Sequence, residues 1–194
     1  MHFELINHIK QVVSLTGNDV VLIKRLFQFT EIKKNDYFLQ EGQICRQVAF
    51  VKKGIFRYFI NEDGEEKTFS FSSENRFMSN YESFIPQTAS FQSIQALENS
   101  EILTISHSDL EQFYLKIDKG ERFGRIAIEQ IFIQLLQDLK SFYTDNEQQR
   151  YEKFIAKYPD IQQRIPQYHI ASYVGVKPQS LSRIRKRIIR YSIY

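Results

Sequence analysis

Gln179, Ser182 and Arg183 are spaced so that, on a helix, they share one side. Their chemistry suits the edge of a base pair. An arginine can donate two parallel hydrogen bonds to guanine O6 and N7, a glutamine can exchange two with adenine, and a serine is small enough to let a helix sit deep in the major groove. Around them, Lys177, Ser180, Arg185, Lys186 and Arg187 suit phosphate, as do Gln167, Tyr168 and His169 at the start of the preceding helix, where free amides favour anions. The first three residues are expected to read sequence and the other eight to fix register on double-stranded DNA. His169 has no His, Cys or acidic neighbour at ligand spacing, so phosphate is preferred to a metal, and no metal site is expected.

Two helices must hold these residues, and the stretch from Gln167 to Ile188 has the signals for them. Ala171 is small enough for a close helix crossing, and Gly175, four residues on, can take the left-handed conformation that turns the chain. Ile170, Val174, Val176, Leu181 and Ile184 supply a buried apolar set. Pro178 falls in the first turn of the second helix, where its missing N–H is no loss. The pattern is that of a helix-turn-helix whose second helix, Pro178 to Ile188, enters the groove.

Charge agrees with this placement. Asp160 is the last acidic residue, and the seven cations that follow leave −4 on the preceding residues of a chain whose net charge is +3. An acidic body with a basic end points to a polyanionic partner at that end. The single Cys45 excludes an internal disulfide and any cluster needing several thiolates. The start lacks a basic segment followed by an apolar one, and no stretch is apolar enough to span a bilayer, so a cytoplasmic protein with no membrane partner is expected.

Upstream, apolar residues from Phe3 to Phe29 repeat at helical spacing and read as two short helices, the second capped by Thr16 or Asn18. Six β runs follow: Tyr37 to Leu39, Gln47 to Lys52, Ile55 to Ile60, Lys67 to Ser72, Phe91 to Leu97 and Glu101 to Ser106. Phe56, Tyr58 and Ile60 are expected to share one strand face, and Phe69 and Phe71 another. Asp63-Gly64 supplies the positive φ angles of a tight hairpin. With no crossover helix between them, these runs form an antiparallel roll, so the fold class is α+β. A helix capped by Ser106 or Ser108 follows. From Gly120 to Thr144, Ile128, Phe132, Leu135, Leu139 and Phe142 recur at spacings of four and three, a heptad seam suited to a second copy of the chain. Ile126, Ile131, Ile133 and Leu136 lie beside it. Asp145 to Arg150 reads as a hinge, and Tyr151 to Tyr158 as a short helix. The expected units are a roll with flanking helices (1–118), a dimer helix (119–145) and a DNA-binding unit (146–194).

This order of parts resembles the Crp/Fnr family of transcriptional regulators. Glu41-Gly42, Phe50-Val51-Lys52-Lys53-Gly54, Asp63-Gly64-Glu65, the stretch from Ser93 to Ser106 and Gln179-Ser180-Leu181-Ser182-Arg183 carry the likeness. It implies a cyclic-nucleotide-binding-like sensor roll, a homodimer, base contact by Arg183, and RNA polymerase as a further partner if the protein is an activator. The sequence departs from the family where cyclic nucleotides bind. Phe77-Met78-Ser79-Asn80-Tyr81-Glu82 lacks the Gly-Glu pair, and Gln87-Thr88-Ala89-Ser90-Phe91 lacks the arginine that pairs with phosphate. Leaving a phosphate without its bidentate cation costs several kcal/mol, so tight cyclic AMP binding is not expected, and Arg76 without the turn is a weak substitute. No cofactor is expected, since Cys45 and His107 read as packed residues rather than haem ligands. The roll aromatics Phe56, Tyr58, Phe69, Phe71, Phe77, Tyr81 and Phe84 either pack as core, the preferred reading, or hold an unidentified apolar effector. Eleven residues follow Arg183, too few for the family's two-stranded wing, which is expected to be reduced or absent. Two alternatives remain: a ligand-binding or protein-interaction roll whose helix-turn-helix no longer engages DNA, and a cupin-like enzyme. The second is disfavoured because none of the four histidines lies on a central strand; an enzyme is not expected.

Overall fold

The computed structural model describes residues 1–191, with side chains described through Ile188. Two helices open the chain, α1 (Phe3–Lys10) and α2 (Gly17–Leu26). Thr16 rather than Asn18 caps α2: its hydroxyl accepts from the Asp19 amide while Asp19 reaches back to the Thr16 amide. Eight strands follow: β1 (Gln28–Ile32), β2 (Tyr37–Leu39), β3 (Gln47–Lys53), β4 (Phe56–Glu62), β5 (Glu65–Ser72), β6 (Phe77–Met78), β7 (Ser93–Ala96) and β8 (Ser100–Ser106), with the short α3 (Tyr81–Phe84) between β6 and β7. The helical remainder is α4 (His107–Lys116), α5 (Gly120–Thr144), α6 (Glu147–Lys157), α7 (Gln167–Val174) and α8 (Pro178–Tyr191). Ser106, not Ser108, caps α4 through the Asp109 amide.

All strand pairings are antiparallel, in two four-stranded sheets of order β1-β8-β3-β6 and β2-β7-β4-β5. Phe50, Phe56, Phe84, Ile94 and Ile102 are fully buried in the roll core, closed from one side by Leu5 and Ile9 of α1. The β4–β5 turn is tight because Asp63 and Gly64 both hold positive φ, 53° and 85°. Gly54 has φ +114° and lies so close to β8 that a Cβ there would sit 2.0 Å from Ser100 Oγ.

Two strands, β1 and the two-residue β6, fall outside the expected set. β1 is hidden in the sequence because Phe27 and Phe29 continue the helical spacing of α2, yet its residues pair with β8 in register from Gln28↔Thr104 to Ile32↔Ser100. The pairing of Phe69 with Phe71 is also corrected. A bulge between Tyr58 and Phe59 leaves Phe69 unpaired on β5, so it stays 46% exposed beside Tyr58 while Phe71 is buried against Tyr158 and Tyr173. The expected hinge shrinks to two residues. Asn146 caps α6 in a capping box with Gln149, so most of 145–150 is helical.

The C-terminal helices do not stand apart from the roll. Ile55, Phe71 and Leu97 of the roll share one buried cluster with Tyr151, Phe154, Tyr158, Ile170, Val174, Leu181 and Ile184. The contact falls on β5, an edge strand whose outward backbone groups need partners. The helices provide them. The Thr68 amide donates to Ser172 Oγ (2.9 Å), Ser172 donates in turn to the Glu66 carbonyl (3.2 Å), and the Tyr158 hydroxyl accepts from the Phe71 amide and donates to the Phe71 carbonyl. Arg164 adds ion pairs to Glu74 and Glu98.

Three substitutions test the packing of the roll and its contact with the helices. Gly54→Ala is expected to lower unfolding free energy by about 2–3 kcal/mol in urea titration, from overpacking and the positive φ, whereas Gly17→Ala, with open space around it, should change it by less than about 0.5 kcal/mol. Tyr158→Phe strands two backbone groups of Phe71 and is expected to cost about 1–3 kcal/mol by the same titration.

Candidate nucleic-acid interface

The turn between α7 and α8 forms as the spacing of Ala171, Gly175 and Pro178 requires. Gly175 takes the left-handed conformation (φ 76°, ψ 39°), its amide donates to the Ser172 carbonyl, and the Val176 amide donates to the Ala171 carbonyl (2.9 Å). Arg150 completes the cap, its Nε donating to the Val174 carbonyl (2.7 Å) and its Nη1 to the Asp145 carbonyl (2.8 Å). One guanidinium therefore ties the end of α7 to the end of α5. Sequence spacing gave no sign of it.

α8 divides cleanly into two sides. Leu181 and Ile184 are buried against Ile170, Ala171 and Val174. Gln179, Ser182, Arg183, Lys186 and Arg187 are all exposed on the other side, and Lys177 is exposed just before the helix. No acidic residue occupies the first turn of α8, so its positive end is not neutralised locally. The three expected base readers and three of the expected phosphate contacts, Lys177, Lys186 and Arg187, are thus gathered on one accessible surface. Ser180 is half-buried at its margin.

The start of α7 departs from expectation. Tyr168 is exposed, but His169 is only 5% exposed, and its Nδ1 lies 3.2 Å from Arg57 Nη1 on β4. It faces the roll and cannot reach a phosphate in this arrangement; the expected phosphate contact at His169 is corrected. The cause is the docking of α7 on β5, a long-range contact that leaves no local mark in sequence. Burial, and then the Arg57 charge, push the His169 pKa down to about 4. Gln167 and Arg185 are also engaged, with Arg185 Nη1 donating to Gln167 Oε1 (2.6 Å) and Gln167 Nε2 donating to the Gln162 carbonyl. They link the two helices rather than standing free.

α5 presents the expected seam in the open. Ile128, Phe132, Leu135, Leu139 and Phe142 are 40–72% exposed. Ile131, Leu136 and Tyr143 are exposed too and widen the apolar stripe to about 140° of the helix circumference at 3.6 residues per turn. Lys157 and Lys153 of α6 pair with Asp138 and Asp145 and so hold α6 at the end of this helix.

Inside the roll, the segment that differs from the nucleotide-binding pattern satisfies its own polar groups. Asn80 donates to Ser90 Oγ, Ser90 to the Gln92 carbonyl, and Ser83 to the Thr88 carbonyl. Cys45 is a buried free thiol against Ser79 and the Gln47 carbonyl, and the His107 ring packs on Phe84. Arg76 turns outward, donating to the Lys157 carbonyl and lying over the Tyr158 ring.

Residues 29–116 match the model of the cyclic nucleotide-binding domain family. No curated protein matches the sequence. Solved structures do match the fold. FixK2 from Bradyrhizobium japonicum superposes with a TM-score of 0.70 at 13% identity, over 86% of each chain. A CooA variant from Carboxydothermus hydrogenoformans gives 0.70 at 15% identity, over 95% of this chain and 84% of that one. A protein described as a transcriptional regulator of the Crp/Fnr family from Eubacterium rectale gives 0.66 at 15%, over 91% and 85%. Residues 29–116 therefore resemble the cyclic nucleotide-binding domain, and the chain as a whole has a Crp/Fnr-like fold.

Proposed function

We propose that the protein is a Crp/Fnr-type DNA-binding transcriptional regulator that acts as a homodimer on a pseudo-palindromic site. The observation that carries this reading is the outer side of α8, where Gln179, Ser182, Arg183, Lys186 and Arg187 are exposed together behind an apolar inner side. Gln179, Ser182 and Arg183 read bases; Lys177, Ser180, Lys186, Arg187 and Tyr168 contact phosphate. Gln167 and Arg185 support the crossing of the two helices. The exposed stripe of α5 supplies the second copy, and in that dimer the two recognition helices lie about one helical turn apart, roughly 34 Å.

Control by cyclic AMP does not fit the roll. The stretch that would hold a phosphate has no arginine and closes on itself through Asn80, Ser83 and Ser90. Any effector of the roll is of another chemistry. An enzymatic reading has no comparable support: a cupin-like site needs clustered ligands, among the described residues no group of three or more His, Cys, Asp or Glu could hold a metal ion, and the Eubacterium rectale protein is described as a transcriptional regulator.

Duplex binding tests the assignment. Arg183→Ala is expected to weaken the best site about 10- to 100-fold at fixed salt and to relax preference at one base pair, the loss of one bidentate contact. Lys186→Ala should weaken all duplexes alike and reduce the slope of log affinity against log salt by about one. Wild-type affinity in the Arg183 variant would overturn the base-reading role. Leu135→Glu places a charge in the α5 seam and is expected to convert the dimer to monomer in sedimentation at micromolar concentration, with duplex binding falling in parallel.

A further inference from the structure

Arg57 is the one charged side chain buried in the β4–β5 hairpin, 4% exposed, and it sits between the roll and the helix-turn-helix. Its Nε and Nη2 donate to Gln95 Oε1 (3.0 and 2.8 Å), Nη2 also pairs with Glu66, and the guanidinium lies 4.0 Å from the Phe59 ring centre. That leaves Nη1, directed at His169 Nδ1 across the domain contact. A guanidinium only donates, so Nδ1 must accept, and the ring must be the neutral tautomer with its proton on Nε2. A second proton would remove the acceptor and set two cations 3.2 Å apart in a buried contact.

We propose that the Arg57–His169 contact is a proton-released clasp: the helix-turn-helix rests on β5 while His169 is neutral and lifts from the roll when the ring is protonated. The surroundings offer no relief to an imidazolium. Among the described residues Glu66 is the one carboxylate paired with Arg57, and it is committed there. From α7 itself comes Tyr168, whose ring lies 4.1 Å from that of His169. The cations of the other packed helices, Arg150 of α6 and Arg185 of α8, hold the two ends of α7 at Val174 and Gln167 and add no negative charge. From the roll, β7 contributes the neutral Gln95.

The sign follows from burial. His169 is held at about 4 when docked and returns towards 6.5 when freed. The docked state is therefore fully favoured above pH 6.5 and loses ground as pH falls from 6.5 towards 4. At pH 5 those two values correspond to a roughly thirty-fold loss in the docking equilibrium. The clasp makes the position of the helix-turn-helix, and with it the spacing of two copies of α8, sensitive to acidification.

Amide hydrogen exchange reads the clasp directly, because the Thr68 amide donates to Ser172 on α7 and is bare once α7 leaves. In the full-length protein, after correction for the intrinsic pH dependence of exchange, Thr68 protection is expected to fall about thirty-fold between pH 7.5 and pH 5, while β8 amides such as Leu103 keep theirs. His169→Gln retains an acceptor for Arg57 but cannot be protonated, and is expected to abolish the fall. Arg57→Gln removes the opposing cation and is expected to shrink it. Unchanged Thr68 protection in the wild type, a fall shared equally by β8, or the same fall in His169→Gln would each overturn the proposal. None of these readings depends on DNA.

Discussion

The edge of β5 is the constraint from which much of this molecule follows. A strand at the margin of a sheet carries backbone groups that cost about 1–3 kcal/mol each if buried without partners. Here Ser172 and Tyr158 satisfy those groups at Glu66, Thr68 and Phe71. The gain is mutual. Three short helices cannot bury enough apolar surface to be stable alone, and the side chains of Ile55, Phe71 and Leu97 complete their core. Docking therefore serves the sheet and the helix-turn-helix at once. It also decides which side of α8 remains open, since Leu181 and Ile184 turn inward with the cluster and Arg183 turns out.

The same contact sits between the two ends of the molecule that carry function. On one side is a roll whose stretch from Asn80 to Ser90 hydrogen-bonds to itself through Asn80, Ser83 and Ser90. On the other is α5, whose wide apolar stripe is uncovered in a single chain. Arg150 bridges the carbonyl ends of α5 and α7, and Lys157 reaches from α6 to Asp138. In the proposed dimer, a second copy seated on α5 would therefore set the orientation of α6, and α6 that of α7 and α8. The orientation of the exposed side of α8 depends on two attachments, one to α5 and one to the roll, and only the second contains a buried histidine.

What the sequence revealed was whatever a short window specifies. Gly175 must be left-handed, Pro178 must open a helix, and Leu181 and Ile184 must face inward; these are local demands, and the starts of both helices, Gln167 and Pro178, could be read from them, although the second helix runs on to Tyr191 rather than ending at Ile188. The Asp63-Gly64 hairpin and the α5 seam were legible for the same reason. β1 was lost because Phe27 and Phe29 carry the helical rhythm of α2 past its end, and nothing short of the pairing with β8 contradicts it. Phe69 was misjudged because a bulge breaks the period of two on which the reading relied. His169 was read as a phosphate contact and Arg164 as one of the cations of a basic end, yet both engage the roll, one through Arg57 and the other through Glu74 and Glu98. Contacts across about a hundred residues of chain leave no periodic trace, so the docking surface was the part that sequence could not supply.

The central claim is that two copies of α8 read a duplex in a fixed geometry set by α5 and the docked helices. Selection from a random-sequence duplex pool with the full-length protein, at near-physiological salt, tests it most directly. The account predicts enrichment of an inverted repeat with half-sites centred about one helical turn apart, roughly 10 base pairs. Recovery of a pool with no enriched repeat would contradict it.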